Sequence, residues 1–184
     1  MSRADAERNR AKILAAARLA FAEPHTEVSM AEISRRAGVG MATLYRNFPS
    51  RRELLETLYT DEVNAICEAA ETFGGETPGA VLMAWLHRFF IFSTNKRQIA
   101  SELLAHVDMS NPVFNENRAR VLAGGRPLLV AAQQAHEVRH DLKLEQILDM
   151  IIAIAMIHGT PRYLEPILQT ALNGLRSPAD AETA

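Results

Sequence analysis

The sequence predicts an all-α protein of two domains. No stretch of four or more residues alternates cleanly between apolar and polar, whereas apolar residues recur with a 3.6-residue period along the chain. A cluster of helix breakers, Gly74, Gly75 and Pro78, interrupts that pattern and marks the boundary candidate. With 184 residues, 48% of them hydrophobic and 23% charged, the chain can bury a sizeable core, with room for one domain and a second small one.

Ile13, Ala16, Ala17, Ala20 and Phe21 form one apolar stripe, so the first helix runs up to Pro24. Ser29 followed by Glu32 has capping-box spacing and opens a helix of about two turns that closes at Gly38. A second short helix spans Met41 to Asn47. Pro49 ends it, and Ser50 with Glu53 opens a long helix that runs to about Phe73. Beyond the breakers, Val81 to Phe92 is apolar around most of its circumference, as a central helix would be, with Trp85, Phe89 and Phe92 on one face. A separate helix is expected from Arg97 to Val107, then one from Pro112 towards Arg139, kinked or broken near Gly124, Gly125 and Pro127. Leu144 to His158 and Arg162 to Arg176 supply the last two helices, and residues 177–184 read as a frayed tail.

Composition excludes several classes. The single cysteine, Cys67, rules out an intrachain disulfide framework or a cysteine-rich metal site and fits a reducing compartment. Apolar runs such as Met150 to Ile157 are eight residues long, well short of the roughly 18 that a membrane span needs. Ser2, Arg3, Ala4 and Asp5 offer no apolar leader, so a cytoplasmic location is expected. No glycine-rich phosphate loop, nucleophile elbow or HExxH string occurs, which leaves enzymatic activity without a residue to carry it and no cofactor to expect.

The formal net charge of −2 conceals an asymmetry. Residues 1–60 carry ten Lys and Arg against seven Asp and Glu, while residues 61–184 carry ten against fifteen. A basic excess of this size points to nucleic acid only when a motif accompanies it. One does: two short helices joined at Gly38 form a helix-turn-helix. Ile33, Ala37, Val39 and Leu44 are spaced to share its small core, leaving Met41, Ala42, Thr43, Tyr45 and Arg46 mostly outward. Residues near the N-terminus of such a second helix reach base edges in the major groove, and Asn47 has an amide able to read adenine. Arg51 and Arg52 stand at a helix N-terminus, where cations are unfavourable unless an anion such as a DNA phosphate docks there.

Through Ile13-Leu14-Ala15-Ala16-Ala17, Phe21, Ile33 and the run from Ala37 to Arg51, AGVGMATLYRNFPSR, the sequence resembles the TetR family of bacterial transcriptional regulators. The similarity is specific over about residues 10–60, whereas the rest matches only in plan. Gly40, Ala42 and Asn47 depart from the residues common in the family, which bears on the operator sequence rather than on DNA binding. The resemblance implies a three-helix DNA-binding domain over 1–59, linked by a long helix to a helical-bundle domain over 60–176 that binds an effector and dimerises. It also implies a homodimeric repressor that releases a palindromic operator when a small molecule binds. On this reading Tyr45 and Arg51 meet phosphates, Arg46 a phosphate or a base edge, and Met41, Ala42, Thr43 and Asn47 lie nearest the bases.

In the second domain Trp85, Phe89, Phe92, Met109 and Phe114, with Met83, are sufficient to line an apolar effector pocket, and equally sufficient to be ordinary core. Leu144, Ile147, Leu148, Met150, Ile151, Ile152, Ile154 and Ile157 cover more than one stripe, so a second buried face is expected, paired with its copy across a two-fold axis. His136 and His140 have metal-compatible i, i+4 spacing, but no third ligand motif accompanies them, and no metal is expected. The competing reading is a helical ligand-binding or scaffold protein whose helix-turn-helix no longer reads DNA.

Overall fold

A computed structural model describes residues 3–23, 28–72, 74–105 and 112–177. Among the described residues the chain forms eight helices and no strand. In order they are α1 (Arg3–Ala22), α2 (Met30–Ala37), α3 (Met41–Asn47), α4 (Arg51–Thr72), α5 (Pro78–Leu104), α6 (Pro112–Gln134), α7 (Leu144–Met156) and α8 (Pro161–Asn173). A lone antiparallel bridge joins Val138 to Arg176. Two compact units emerge. The first is Met1–Asp61 with Gln98–Asn111, and the second is Glu62–Arg97 with Pro112–Ala184.

In the first unit the α1 stripe behaves as its spacing requires, with Ile13, Ala17, Ala20 and Phe21 essentially inaccessible to solvent. They share a core with Ile33 of α2, Leu44 of α3, Phe48, and Leu54, Leu55 and Leu58 of α4. Both serine caps form as expected: the Ser29 hydroxyl accepts from the Glu32 backbone N–H, and that of Ser50 from Glu53, each at 3.1 Å. Gly38 takes φ +64°, the left-handed conformation in which a side chain is strained.

The second unit corrects several boundaries. α5 is one helix of 27 residues where two were expected, and it carries the chain continuously through Ser93 and Thr94. Their hydroxyls donate back to the carbonyls of Phe89 and Ile91, both at 2.8 Å, so these polar residues are satisfied within the helix instead of ending it. α6 likewise runs without a break through Gly124, Gly125 and Pro127. The two glycines sit where neighbours come close. A Cβ on Gly125 would lie 2.3 Å from the Trp85 ring, and one on Gly124 would lie 3.6 Å from the Ala70 Cβ. They read as breakers in sequence because the residues they face, Ala70 for Gly124 and Trp85 for Gly125, are distant in the chain.

α7 ends at Met156, earlier than His158, and α8 ends at Asn173, after which Leu175 is buried and Arg176 enters the bridge to Val138. α8 starts at Pro161 behind Thr160, whose hydroxyl accepts from the Tyr163 N–H. The Pro24 stop, Phe73 and the tail beyond Ser177 lie outside the described residues. Ser177 itself is tied by its N–H to the Glu137 carbonyl at 3.1 Å.

Candidate nucleic-acid interface

The turn between α2 and α3 is held from both sides. The Gly38 and Val39 N–H groups return to the carbonyls of Arg35 and Ser34, at 3.2 and 3.1 Å. The buried Ser34 hydroxyl donates to the Val39 carbonyl at 2.6 Å. α3 then begins at Gly40, which supplies no side-chain cap; its carbonyl accepts from Thr43 and Leu44 at 2.9 and 3.0 Å. Leu44 is the only residue of α3 that is fully buried and pins the helix to the core. Its rotation leaves Met41, Ala42, Tyr45 and Arg46 exposed and Thr43 half-buried, which is the outward face the spacing predicts.

Asn47 is more constrained than its sequence position suggests. Its amide donates to the Thr43 carbonyl one turn back at 2.8 Å, so one of its two N–H hydrogens is already engaged within α3. The C-terminal end of α3 is also held by a residue that sequence reasoning passed over. The Arg10 guanidinium lies 4.3 Å over the Phe48 ring and donates to the Asn47 carbonyl at 3.2 Å, placing a cation at the negative end of the helix. The only sequence signal for Arg10 was its position one turn before Ile13 and Leu14 on α1.

Arginines near the turn are extensively paired. Glu32 accepts from Arg35 and Arg36, which hold its carboxyl down to about 2, and Arg36 also reaches Glu23. Arg51 is paired as well. One of its NH groups donates to the Val28 carbonyl and the other to Glu102 at 2.6 Å, and the guanidinium lies 5.4 Å from the Phe21 ring centroid. Its side chain is 23% exposed, a half-buried strut at the start of α4. Glu102 gave no signal in sequence, because its separation from Arg51 has no local period.

In the second unit Trp85, Phe89 and Phe92 form the expected ladder, with centroid spacings of 6.0 and 5.5 Å. Trp85 is completely buried, and its indole N–H donates to the Ile66 carbonyl at 3.1 Å, which satisfies its one polar atom. Phe114 is buried on α6, and Met109 lies outside the described residues. A cavity of 40 Å³ is bounded by Glu62, Ile66, Arg88, Ile91, Phe92 and Asn95. It borders the ladder at Phe92 alone and is far below the roughly 300 Å³ of an ordinary small-molecule site.

Lys96 stands beside that ladder. It is 4% exposed, and its Nζ sits 3.8 Å from the Phe92 ring centroid. Burial lowers its pKa to about 6, against the opposing pull of Glu62 and Cys67. Its signal was available in the sequence, since Phe89, Phe92, Lys96, Ile99 and Leu103 fall on one helical stripe. Cys67 is half-buried, and partial burial raises its pKa. His136 and His140 have ring centroids 5.9 Å apart, but His136 lies beyond α6 at φ +58°, off any helix. Among the described residues no group of three metal-ligating side chains occurs.

No helix among the described residues is long and apolar enough to cross a membrane. Residues 13–58 match the sequence family described as bacterial regulatory proteins, tetR family. Residues 77–177 match the C-terminal domain described as transcriptional regulator SbtR-like. A comparison with curated protein sequences finds no match. Among solved structures, the TetR transcriptional regulator SCO0520 from Streptomyces coelicolor is 34% identical. That alignment covers 92% of this chain and 99% of the other, with a TM-score of 0.75. A TetR transcription regulatory protein from Mycobacterium vanbaalenii is 31% identical over 95% of this chain and 98% of the other, with a TM-score of 0.72. With matches at both ends and these two full-length relatives, the chain belongs to the TetR family of bacterial transcriptional regulators.

Proposed function

We propose that the protein is a cytoplasmic, homodimeric repressor that holds a palindromic operator and releases it when a small apolar or aromatic molecule binds in the second unit. The observation that carries the DNA-binding part is the outward face of α3, where Met41, Ala42, Tyr45 and Arg46 are exposed on a short helix pinned from beneath by Leu44. The small Ala42 side chain near the front of that face allows close approach to a groove floor. Met41, Ala42, Thr43 and Asn47 are assigned to base edges, with Tyr45 and Arg51 on phosphates and Arg46 on a phosphate or a base edge. Arg51 reaches a phosphate only by exchanging Glu102 for it.

The dimer reading is supported by apolar surface that one chain leaves uncovered. Ile152 is 36% exposed, Met156 55%, Ile157 37% and Tyr163 59%, while the opposite side of α7 is buried in its own chain. Two copies of α7 and α8 meeting across a two-fold axis would cover that face. The effector is assigned to the side of the Trp85, Phe89 and Phe92 ladder, with Phe114 and Met109 as further lining. A drug-sized ligand there requires the 40 Å³ cavity to open.

Selection of random duplexes by the purified protein tests the reading. The expected outcome is an enriched palindrome whose half-site centres are about 34 to 36 Å apart, or a multiple of that. Absence of any salt-dependent shift of duplex DNA would leave the scaffold reading instead.

A further inference from the structure

We infer that the effector carries a carboxylate, and that Lys96, with Arg88 at the mouth, forms the subsite for that group beside the Phe92 ring. This rests on the effector-responsive reading above and names the chemistry of its ligand. Three placements carry it. Lys96 is 4% exposed on the apolar stripe of α5, where methionine or leucine would fill the same space without an ammonium to desolvate. Its Nζ lies 3.8 Å from the centroid of Phe92, and that ring is also a wall of the cavity. Arg88 and Asn95, each about one turn from Phe92 along α5, contribute polar groups to the same wall, and Glu62 of α4 contributes a carboxylate. An apolar body with an acidic end fits this set, because its rings or chain extend the Phe89 and Phe92 stack while its charge lies beside Lys96, whose ammonium form it favours, and near the Arg88 guanidinium.

The charges around Lys96 set the direction of the pH response. Glu62 and Cys67 on α4 face it, Arg88 shares its helix, and Arg120 on α6 acts on Cys67. Desolvation outweighs Glu62 and brings Lys96 down to about 6, so near neutral pH the free protein holds a largely uncharged amine. A carboxylate arriving beside it favours the ammonium, so binding takes up a proton from solvent. Affinity for an acid therefore strengthens as pH falls from 8 towards 6, by at most about tenfold for each pH step of one.

The experiment is calorimetric titration of the full chain with a panel of probes. The acids are hexanoate, octanoate, decanoate and 4-phenylbutyrate, and the neutral counterparts are the alcohols of the same skeletons. The expected result is that at least one acid binds tenfold or more tightly than its alcohol, with uptake of up to one proton per chain when measured in buffers of differing ionisation enthalpy. Lys96→Met should abolish both the preference and the uptake while keeping its helical circular dichroism. Arg88→Gln should weaken the acid and leave proton uptake in place. Alcohols binding as tightly as acids, no acid binding, or acid binding that Lys96→Met leaves unchanged would each overturn the inference. A DNA mobility assay with the same probes separates this from the broader reading. Acids that bind at Lys96 without loosening DNA sink the effector-responsive repressor but keep the subsite. Release of DNA by alcohols alone does the reverse.

Discussion

Adjacent glycines in the middle of α6 should respond to the same substitution with opposite signs. An alanine Cβ at position 124 would meet the Ala70 Cβ at 3.6 Å, an ordinary van der Waals separation. Gly124→Ala therefore gains helix propensity of about 1 kcal/mol at no packing cost. At position 125 the added Cβ would lie 2.3, 2.7 and 3.0 Å from three carbons of the Trp85 ring. The indole cannot retreat freely, since its N–H is held on the Ile66 carbonyl at 3.1 Å and the residue is fully buried. Overpacking of this kind costs about 1 to 3 kcal/mol, and an indole pushed off its acceptor adds about 1 to 3 kcal/mol for a buried unsatisfied donor. Against a propensity gain of about 1 kcal/mol, Gly125→Ala should lose about 1 to 5 kcal/mol. For a chain of 184 residues these changes correspond to a Tm raised by roughly 2 to 4 °C for Gly124→Ala and lowered by roughly 2 to 20 °C for Gly125→Ala. Thermal and urea unfolding followed by circular dichroism measures both. Trp85 is the only tryptophan, so its fluorescence reports the local packing directly and should shift to the red in Gly125→Ala alone. Equal stability of the two variants with unchanged emission would refute the packing argument.

Lys96→Met should stabilise the protein in a pH-dependent way. The folded-state value of about 6 lies below the ordinary 10.5, so the unfolded chain binds the extra proton between them. Wild-type stability then rises with pH across that window and is level below it, and the gain in Lys96→Met falls from about 4 kcal/mol at pH 7.5 to about 1 kcal/mol at pH 9.5; urea midpoints at the two pH values check this. Gly38→Val should cost about 1 to 2 kcal/mol, because its backbone sits at φ +64°, and equilibrium unfolding would show an unchanged midpoint if that strain is imaginary. Arg51→Ala should weaken binding to all duplexes and lower the salt slope by about one ion for each phosphate that is no longer neutralised, whereas Ala42→Met or Asn47→Ala should change the preferred operator; the opposite pattern in a binding series across salt would reverse those roles. Met156→Asp, placed in the exposed α7 face, should shift the sedimentation coefficient from dimer to monomer at micromolar concentration.

The helix-turn-helix was legible in the sequence because everything that builds it is local. Ser29 and Ser50 cap helices that begin one residue later, Gly38 takes the one conformation its neighbours disfavour, and Leu44 shares the small core with Ile33 across the turn. The same holds for the Trp85, Phe89 and Phe92 ladder, whose members lie within two turns of one helix. The amino-acid sequence therefore determined the fold class, the family and the outward face of α3. What it left open depends on residues far apart in the chain. Gly124 and Gly125 look like a break until Ala70 faces the first and Trp85 packs against the second, and Ser93 and Thr94 look like a loop until their hydroxyls turn back on α5. The groups that hold the Arg51 guanidinium, Glu102 and the Val28 carbonyl, lie 51 and 23 positions away and come to it only in the folded chain. Whether Lys96 sits in water or beside Phe92 is decided by burial of that face of α5, since the free energy of a charge depends on its surroundings and not on its position in the chain. Local rules of capping and periodicity act over one or two turns, while close approach, ion pairing and desolvation exist only once distant segments have met.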